Sequence, residues 1–206
     1  MKTFKKIALG MGLVSASLVM AQKQEAAKFD NLSMRNMFKI GIGGGVSVPQ
    51  GNAGGALGVD LAYQHLVTPG FGLGLATGYT HYFGRKNTVN YNGVNLNVEN
   101  NDFGVVPVAG MVRIYPQKTG FYLGTDLGYG FIVGDDKVNN ATIPPSPQRP
   151  NGGLYIKPEI GYHNNDWNFS LQYQKVFTGD EGNFGNQKYN AGYLGAGISY
   201  NIPLGE

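Results

Sequence analysis

Residues 71–83 read FGLGLATGYTHYF. One register is Phe71, Leu73, Leu75, Thr77, Tyr79, His81 and Phe83; the other is Gly72, Gly74, Ala76, Gly78, Thr80 and Tyr82. Strict alternation is the mark of a β-strand. A strand laid on an ordinary core turns apolar residues inward and polar residues to water. Here one face is apolar and aromatic while the other is mostly bare glycine. Such a strand suits a wall with lipid on one side and a crowded, narrow interior on the other.

The rest of the chain repeats this pattern. The strand template fits eight segments: 38–48, 55–67, 71–83, 103–115, 121–133, 153–163, 167–178 and 191–202. Each has 11 to 13 residues, longer than the usual globular strand of about 5 or 6. A tilted membrane strand needs about 9 to 11. The connections alternate. Segments 68–70, 116–120 and 164–166 are tight and built of turn formers. Segments 84–102, 134–152 and 179–190 are longer and polar, and the short 49–54 link lies on their side. An even number of strands, with short turns at one end and long loops at the other, predicts an all-β fold. The expected form is an eight-stranded antiparallel up-and-down transmembrane β-barrel.

The ends of the chain agree with export. Residues 1–21 combine the basic start Lys2, Lys5 and Lys6 with an apolar stretch from Ile7 to Met20 and a small residue at Ala21. This is the pattern of a cleaved secretory signal peptide. Residues 22–37 are expected to form a polar periplasmic arm, and residues 38–206 the barrel. Loss of the signal leaves 13 basic residues against 13 acidic ones, so no basic excess argues for nucleic acid. The absence of cysteine excludes disulfides and thiolate metal sites. The 33 glycines of 206 residues far exceed the usual share of about 7%, and they sit inside apolar runs.

With the apolar register outward, the interior receives Lys39, Asp60, Arg113, Asp126, Lys157, Glu159 and Gln172, together with Gln64, Gln174, Asn168 and Asn201. Three cations and three anions withdrawn from bulk water are expected to pair. Eight strands leave room only for side chains, so neighbours of long charged residues must be small. Two aromatic girdles are expected. Tyr63, Phe71, Phe121, Tyr162 and Trp167 fall near the tight turns, and Tyr79, Phe83, Phe131, Tyr173 and Phe177 near the long loops. Pro107 and Pro158 each remove a ladder donor, and a bulge or register shift is expected beside each.

The opening FKIGIGGGVSV (38–48) and the closing YLGAGISYNIPL (193–204), with the signal segment, resemble the small outer-membrane β-barrel domain family of Gram-negative bacteria, the OmpX/OmpA-like barrels. The resemblance covers nearly all of the mature chain. Gly197, Tyr200 and Ile202 resemble the terminal signal read by the barrel-assembly machinery, whereas the final Pro203-Leu204-Gly205-Glu206 departs from an aromatic end. The resemblance implies the outer membrane as location and its lipid and lipopolysaccharide as surroundings. It does not fix an activity, because the fold hosts many.

Segment 87–100, NTVNYNGVNLNVEN, carries Asn92-Gly93, a strong hairpin signal. Val89 and Tyr91 are expected to face Leu96 and Val94. The result is a ribbon beyond the membrane whose free edges offer a strand-pairing surface to an extracellular protein. The loop ATIPPSPQRP (141–150) reads as a stiff connector or an extended recognition segment. Asp135-Asp136 and Asp180-Glu181 are candidate divalent-cation or lipopolysaccharide contacts, outweighed by simple solvation. The histidines are His65, His81 and His163; only His81 lies near the loops, with Thr77, Tyr79 and the loop acid Asp102 in its neighbourhood and no serine. The reading is a non-enzymatic protein without cofactor or metal, structural or engaged in surface recognition. A narrow, porin-like channel or an accessory of an export or assembly complex stands second, and a lipid-modifying enzyme third.

Overall fold

The computed structural model describes residues 34–164 and 166–205. The expected signal segment and residues 22–33 of the arm lie outside the described residues. Ten strands follow in chain order: β1 (Asn36–Ser47), β2 (Ala53–Thr68), β3 (Phe71–Gly84), β4 (Lys86–Tyr91), β5 (Val94–Glu99), β6 (Phe103–Ile114), β7 (Gly120–Gly134), β8 (Gly152–His163), β9 (Trp167–Phe177) and β10 (Ala191–Gly205). Eight of them close an antiparallel barrel in the order β1-β10-β9-β8-β7-β6-β3-β2, and β4-β5 form a separate two-stranded sheet. Sequence neighbours pair throughout the barrel except where the β4-β5 ribbon is inserted between β3 and β6.

Alternation sets the two faces. On β3, Leu75 is 68% exposed, while on β7 Phe121 is 72% exposed and the following Tyr122 only 3%. Ile42, Val59, Leu127, Ile160, Leu171 and Leu194 are likewise exposed on the outer wall. The described residues contain no helix long and apolar enough to cross a membrane. Closure by β1 and β10 removes the open sheet edges that would otherwise carry unpaired backbone groups.

Pro107 and Pro158 do not shift the register. Pro107 sits opposite Gly130 and Pro158 opposite Thr125 in unbroken β6-β7 and β7-β8 ladders. On the other side of each proline the pairing lapses for two residues and resumes in the same register, from Thr77↔Val108 to Thr80↔Val105 and from Ile156↔Lys175 to Glu159↔Gln172. The missing N–H thus costs local ladder bonds without an extra residue. Lys157 and Glu159 therefore keep the inward face while Pro158 is exposed. The irregularity created near a proline occurs instead at Pro203. There β10 runs on to Gly205, beyond the expected end at 202, and the pairing steps from Met37↔Pro203 to Asn36↔Gly205. Asn36 Nδ2 donates to Gly205 O at 3.1 Å and secures the prolonged strand.

The glycines of the inner face have a direct steric purpose. A Cβ at Gly124 would lie 2.7 Å from Arg113 Nε, inside the space the guanidinium occupies. At Gly110, exposed on the outer wall, a Cβ would meet nothing closer than Leu127 O at 3.8 Å. Gly124→Val is therefore expected to destabilise the barrel by about 1–3 kcal/mol through overpacking. Gly110→Val should leave stability within about 0.5 kcal/mol. Urea unfolding in micelles, followed by tryptophan fluorescence of the single Trp167, measures both; equal effects at the two sites would contradict the steric account.

Candidate functional site: the sealed lumen and the loop cap

The lumen is filled in layers. Near the tight turns, Lys39 Nζ donates to Tyr115 Oη at 3.1 Å, and Tyr115 Oη donates to Gln64 Oε1 at 2.9 Å. Above them lies an ion network. Arg113 bridges Asp126 (Nη1 to Oδ1, 2.7 Å) and Glu159 (Nε to Oε1, 2.7 Å). Lys157 Nζ bridges Asp60 Oδ1 at 2.9 Å and Asp126 Oδ2 at 3.4 Å. Asp126 accepts from both cations, and its side chain is 1% exposed. Lys39 is not part of this network. Its charge meets the Tyr115 hydroxyl and lies 5.8 Å from that ring's centroid, so the expectation that all three cations pair with carboxylates is corrected for this residue. Gln172 Nε2 donates to Tyr193 Oη at 2.6 Å, one layer closer to the loops.

Towards the loops the lumen is closed by a layer that the sequence analysis overlooked. Tyr82, Tyr155 and Tyr193 are among the most buried side chains, and Phe103, Val105, Ile132, Val176 and Tyr189 pack with them. Tyr82 stacks on Phe103 with centroids 4.7 Å apart. Gln174 stitches the tyrosines together: its Nε2 donates to Tyr82 Oη at 3.1 Å, and its Oε1 accepts from Tyr155 Oη at 3.2 Å. These aromatics lie in the inward register, among glycines and charged residues. Tyr155 between Leu154 and Ile156, and Tyr122 between Phe121 and Leu123, were hidden by apolar neighbours on the other face. The cavity left around the ion network is about 50 Å³, room for a few water molecules.

On the outer wall, Tyr63, Phe121, Tyr162 and Trp167 are exposed towards the tight turns, and Phe71 is half-buried there. Phe121 meets Tyr162 edge-on at 6.1 Å, and Trp167 meets Tyr200 at 4.9 Å. Tyr79, Phe83, Phe131 and Phe177 are exposed towards the loops, with Tyr173 half-buried. Tyr129, beside Phe131 at 4.9 Å, joins this second set.

The β4-β5 ribbon carries Asn92 (φ 49°) and Gly93 (φ 86°) at its tip. Both are left-handed, as a two-residue hairpin turn with matching twist requires. Val89 pairs with Leu96 and Tyr91 with Val94. This apolar face is not free. Val89 and Val98 are buried against Phe184 of the β9-β10 loop, with Tyr91, Leu96 and Ala141 packed around them. Nor are the edges wholly open, as the sequence analysis expected. Asn90 N donates to Asn186 Oδ1 at 2.9 Å, and Asn90 O accepts from Asn186 N at 3.0 Å. On the other strand, Glu99 N donates to Asn140 Oδ1 and Glu99 O accepts from Asn140 N, both at 3.0 Å. The proline-rich segment also folds back rather than extending: Val138 N donates to Pro147 O at 3.2 Å, and Arg149 N to Asp136 O at 2.7 Å. The three long loops thus form one packed cap. Its outer ribbon face is a polar ladder, with Thr88 Oγ1 donating to Asn97 Oδ1 at 2.8 Å and Asn90 Nδ2 to Asn95 Oδ1 at 2.9 Å.

Asp102 does approach His81. Its Oδ2 lies 3.1 Å from His81 Nε2, and its Oδ1 accepts from Gly84 N at 2.7 Å. Tyr79 Oη is 3.4 Å from His81 Nδ1. The imidazole is thus held between a phenol and a carboxylate at the base of the ribbon, and the group ties the end of β3 to the start of β6. His65 instead contacts Asn36 Oδ1 through Nδ1 at 2.7 Å, and His163 packs edge-on against Tyr115 with centroids 4.6 Å apart. Among the described residues no three His, Asp or Glu side chains come together as a metal-binding group.

These features define a closed eight-stranded antiparallel barrel with an apolar outer wall, a polar sealed lumen and a structured cap at one end. No family model matches the chain, and no curated protein matches it. Among solved structures it is similar to Ail, the attachment invasion locus protein of Yersinia pestis, solved in complex with the heparin analogue sucrose octasulfate. That likeness has a TM-score of 0.49 at 14% identity and covers 81% of this chain and 97% of that one. It is also similar to the outer membrane protein OprG from Pseudomonas aeruginosa, with a TM-score of 0.49 at 11% identity over 82% and 95% of the two chains. Neisserial surface protein A aligns with a TM-score of 0.39 at 16% identity over 81% and 96%.

Because Asp126 serves two buried cations, Asp126→Asn leaves Arg113 and Lys157 undercompensated. It is expected to lower unfolding free energy by about 3–5 kcal/mol. Asp60→Asn, at a position with a 27% exposed side chain, should cost less. The ranking is read from urea midpoints in micelles, and a larger loss for Asp60→Asn would refute the hub role of Asp126.

Proposed function

We propose that this protein is an outer-membrane barrel whose work is done at the cap. In this reading the barrel is a non-conducting anchor and the packed loops are a surface for structural contact or recognition outside the cell. The observation that carries it is the contrast between the two parts of the molecule. The lumen is closed twice, by the Arg113-Asp126-Lys157 network and by the aromatic layer around Tyr82, Tyr155 and Tyr193. The loops, by contrast, are built into a single unit with its own small core at Val89, Val98 and Phe184. Ordering long loops costs conformational entropy, and a bare anchor needs only short connections.

The apolar wall with aromatic rows near both ends supports placement in a bilayer, and the short-turn end is assigned to the periplasm. The narrow-channel reading has in its favour only the residual cavity of about 50 Å³. The His81-Asp102 pair has a phenol beside it rather than an activated nucleophile, and geometry of that kind does not make a hydrolase.

The chain contains no cysteine, so single cysteines report topology without background. Ile143, 88% exposed in the cap, and Lys118, exposed in a tight turn, lie at opposite ends. Intact cells carrying Ile143→Cys are expected to react with a membrane-impermeant maleimide, while cells carrying Lys118→Cys should react only after lysis. Labelling of Lys118→Cys on intact cells, or of neither, would sink the placement. In planar bilayers the purified barrel should show no discrete conductance steps, whereas reproducible steps abolished by Lys157→Met would favour the channel.

A further inference from the structure

The molecule treats its cations in two different ways. In the lumen, Arg113 and Lys157 are matched by carboxylates. At the cap, a concavity of about 770 Å³ lies between the β1-β2 link, the foot of the ribbon, the end of β9 and the β9-β10 loop. Four basic residues line it, Arg85, Lys86, Lys175 and Lys188, and no acidic residue does. Two of these heads are held by neutral amides. Arg85 Nη1 donates to Gln50 Oε1 at 2.9 Å, and Lys175 Nζ donates to Asn190 Oδ1. An amide positions a cation without neutralising it. Among the described residues, only Lys86 has a carboxylate partner, Glu99, at 3.4 Å across the ribbon, with both side chains more than half exposed; such a pair is weak.

The frame holding these charges is rigid. Asn190 is 2% exposed. Its Nδ2 donates to Pro49 O at 2.6 Å and to Ser47 Oγ at 3.0 Å, and its N donates to Asn52 Oδ1 at 2.7 Å. Asn87 Nδ2 ties the ribbon to the same frame through Gly51 O at 2.6 Å and Gln187 Oε1 at 2.8 Å. One buried asparagine therefore joins three segments of the wall and presents its oxygen to Lys175. Unpaired cations on a preorganised frame, flanked by side-chain amides and hydroxyls, are suited to an anion carried on a polyhydroxylated scaffold.

We infer that this groove is a binding site for the phosphate or sulfate groups of an anionic oligosaccharide. The same chemistry is offered by the phosphorylated sugars of a lipopolysaccharide beside the barrel and by a soluble anionic glycan. Lys175 lies on β9 two residues before the exposed Phe177 of the loop-side aromatic row, so the groove opens where the apolar wall gives way to the cap. The site rests on the proposed function only for its position above the bilayer; its charge and geometry belong to the folded chain itself.

The test uses the full folded chain, its folding checked by retarded or advanced gel mobility before and after boiling. In micelles the probe is a soluble sulfated hexasaccharide, titrated calorimetrically. In nanodiscs the probe is lipopolysaccharide, compared with discs of neutral phospholipid alone, and the readout is the thermal midpoint. The triple substitution Arg85→Gln, Lys175→Gln and Lys188→Gln is compared with a charge-matched control, Arg35→Gln, Lys118→Gln and Lys137→Gln. Saturable, salt-sensitive hexasaccharide binding weakened at least about tenfold by the triple substitution, but not by the control, supports a soluble ligand. A rise in thermal midpoint with lipopolysaccharide that only the triple substitution removes supports the membrane source. Absence of both responses, or equal loss in the control, overturns the site. If the triple variant fails to fold, Lys188→Glu alone, at an exposed position, must weaken the same binding. The hexasaccharide arm needs no bilayer, so its failure is separate from a failure of the cysteine-labelling test of placement.

Discussion

The interior charge network is the constraint on which the rest of this structure depends. Arg113 and Lys157 stand in a lumen too narrow for bulk water, and each must find carboxylates there. Asp126 answers both, which fixes β6, β7 and β8 against one another, and Asp60 carries the network across to β2. The volume of these side chains then dictates what surrounds them. Gly124 yields its space to Arg113, a Cβ at Gly72 would run into the Gln64 amide, and one at Gly74 into Tyr63 O and the Met111 methyl group. The glycine face of FGLGLATGYTHYF follows from long side chains and backbone of the neighbouring strands β2 and β6, Gln64 and Met111 among them.

A filled lumen also shapes the loop end. The aromatic layer above the ions is mostly apolar, yet the hydroxyls of Tyr82, Tyr155 and Tyr193 are tied in by Gln172 and Gln174. That layer continues into the cap through Phe103 and Tyr189, whose rings lie 5.2 Å apart. Tyr189 is buried in the β9-β10 loop, and burial pushes its phenol well above its ordinary value. Barrel and cap are therefore one continuous packing from the ion network to the ribbon. The loops are supported from below, which is why they are structured instead of trailing in solvent.

The polar ladder on the ribbon and the basic groove at its foot are finished differently. The ladder satisfies its own side chains through Thr88-Asn97 and Asn90-Asn95 bonds. The groove leaves charge unspent. That difference separates a surface finished by its own hydrogen bonds from one that awaits a counter-charge.

The sequence by itself determined the number of barrel strands, their alternation and which residues face outward. These are local, period-two properties, and apolar side chains cannot be turned inward in one strand without reversing the whole strand. It also placed the Asn92-Gly93 turn, whose left-handed residues are a two-residue decision. Tertiary structure alone decided the rest. Which carboxylate meets which cation depends on the relative stagger of strands far apart in sequence, so Asp126 emerged as the shared acceptor and Lys39 as the residue that turns to Tyr115. The tyrosines of the upper lumen share a register with glycine and were legible only once the barrel had closed around them. The covering of the ribbon by Phe184, Asn140 and Asn186, and the gathering of Arg85, Lys175 and Lys188, join segments separated by up to about a hundred residues. No sequence period encodes such contacts, because they are set by where loops meet after the wall beneath them has formed.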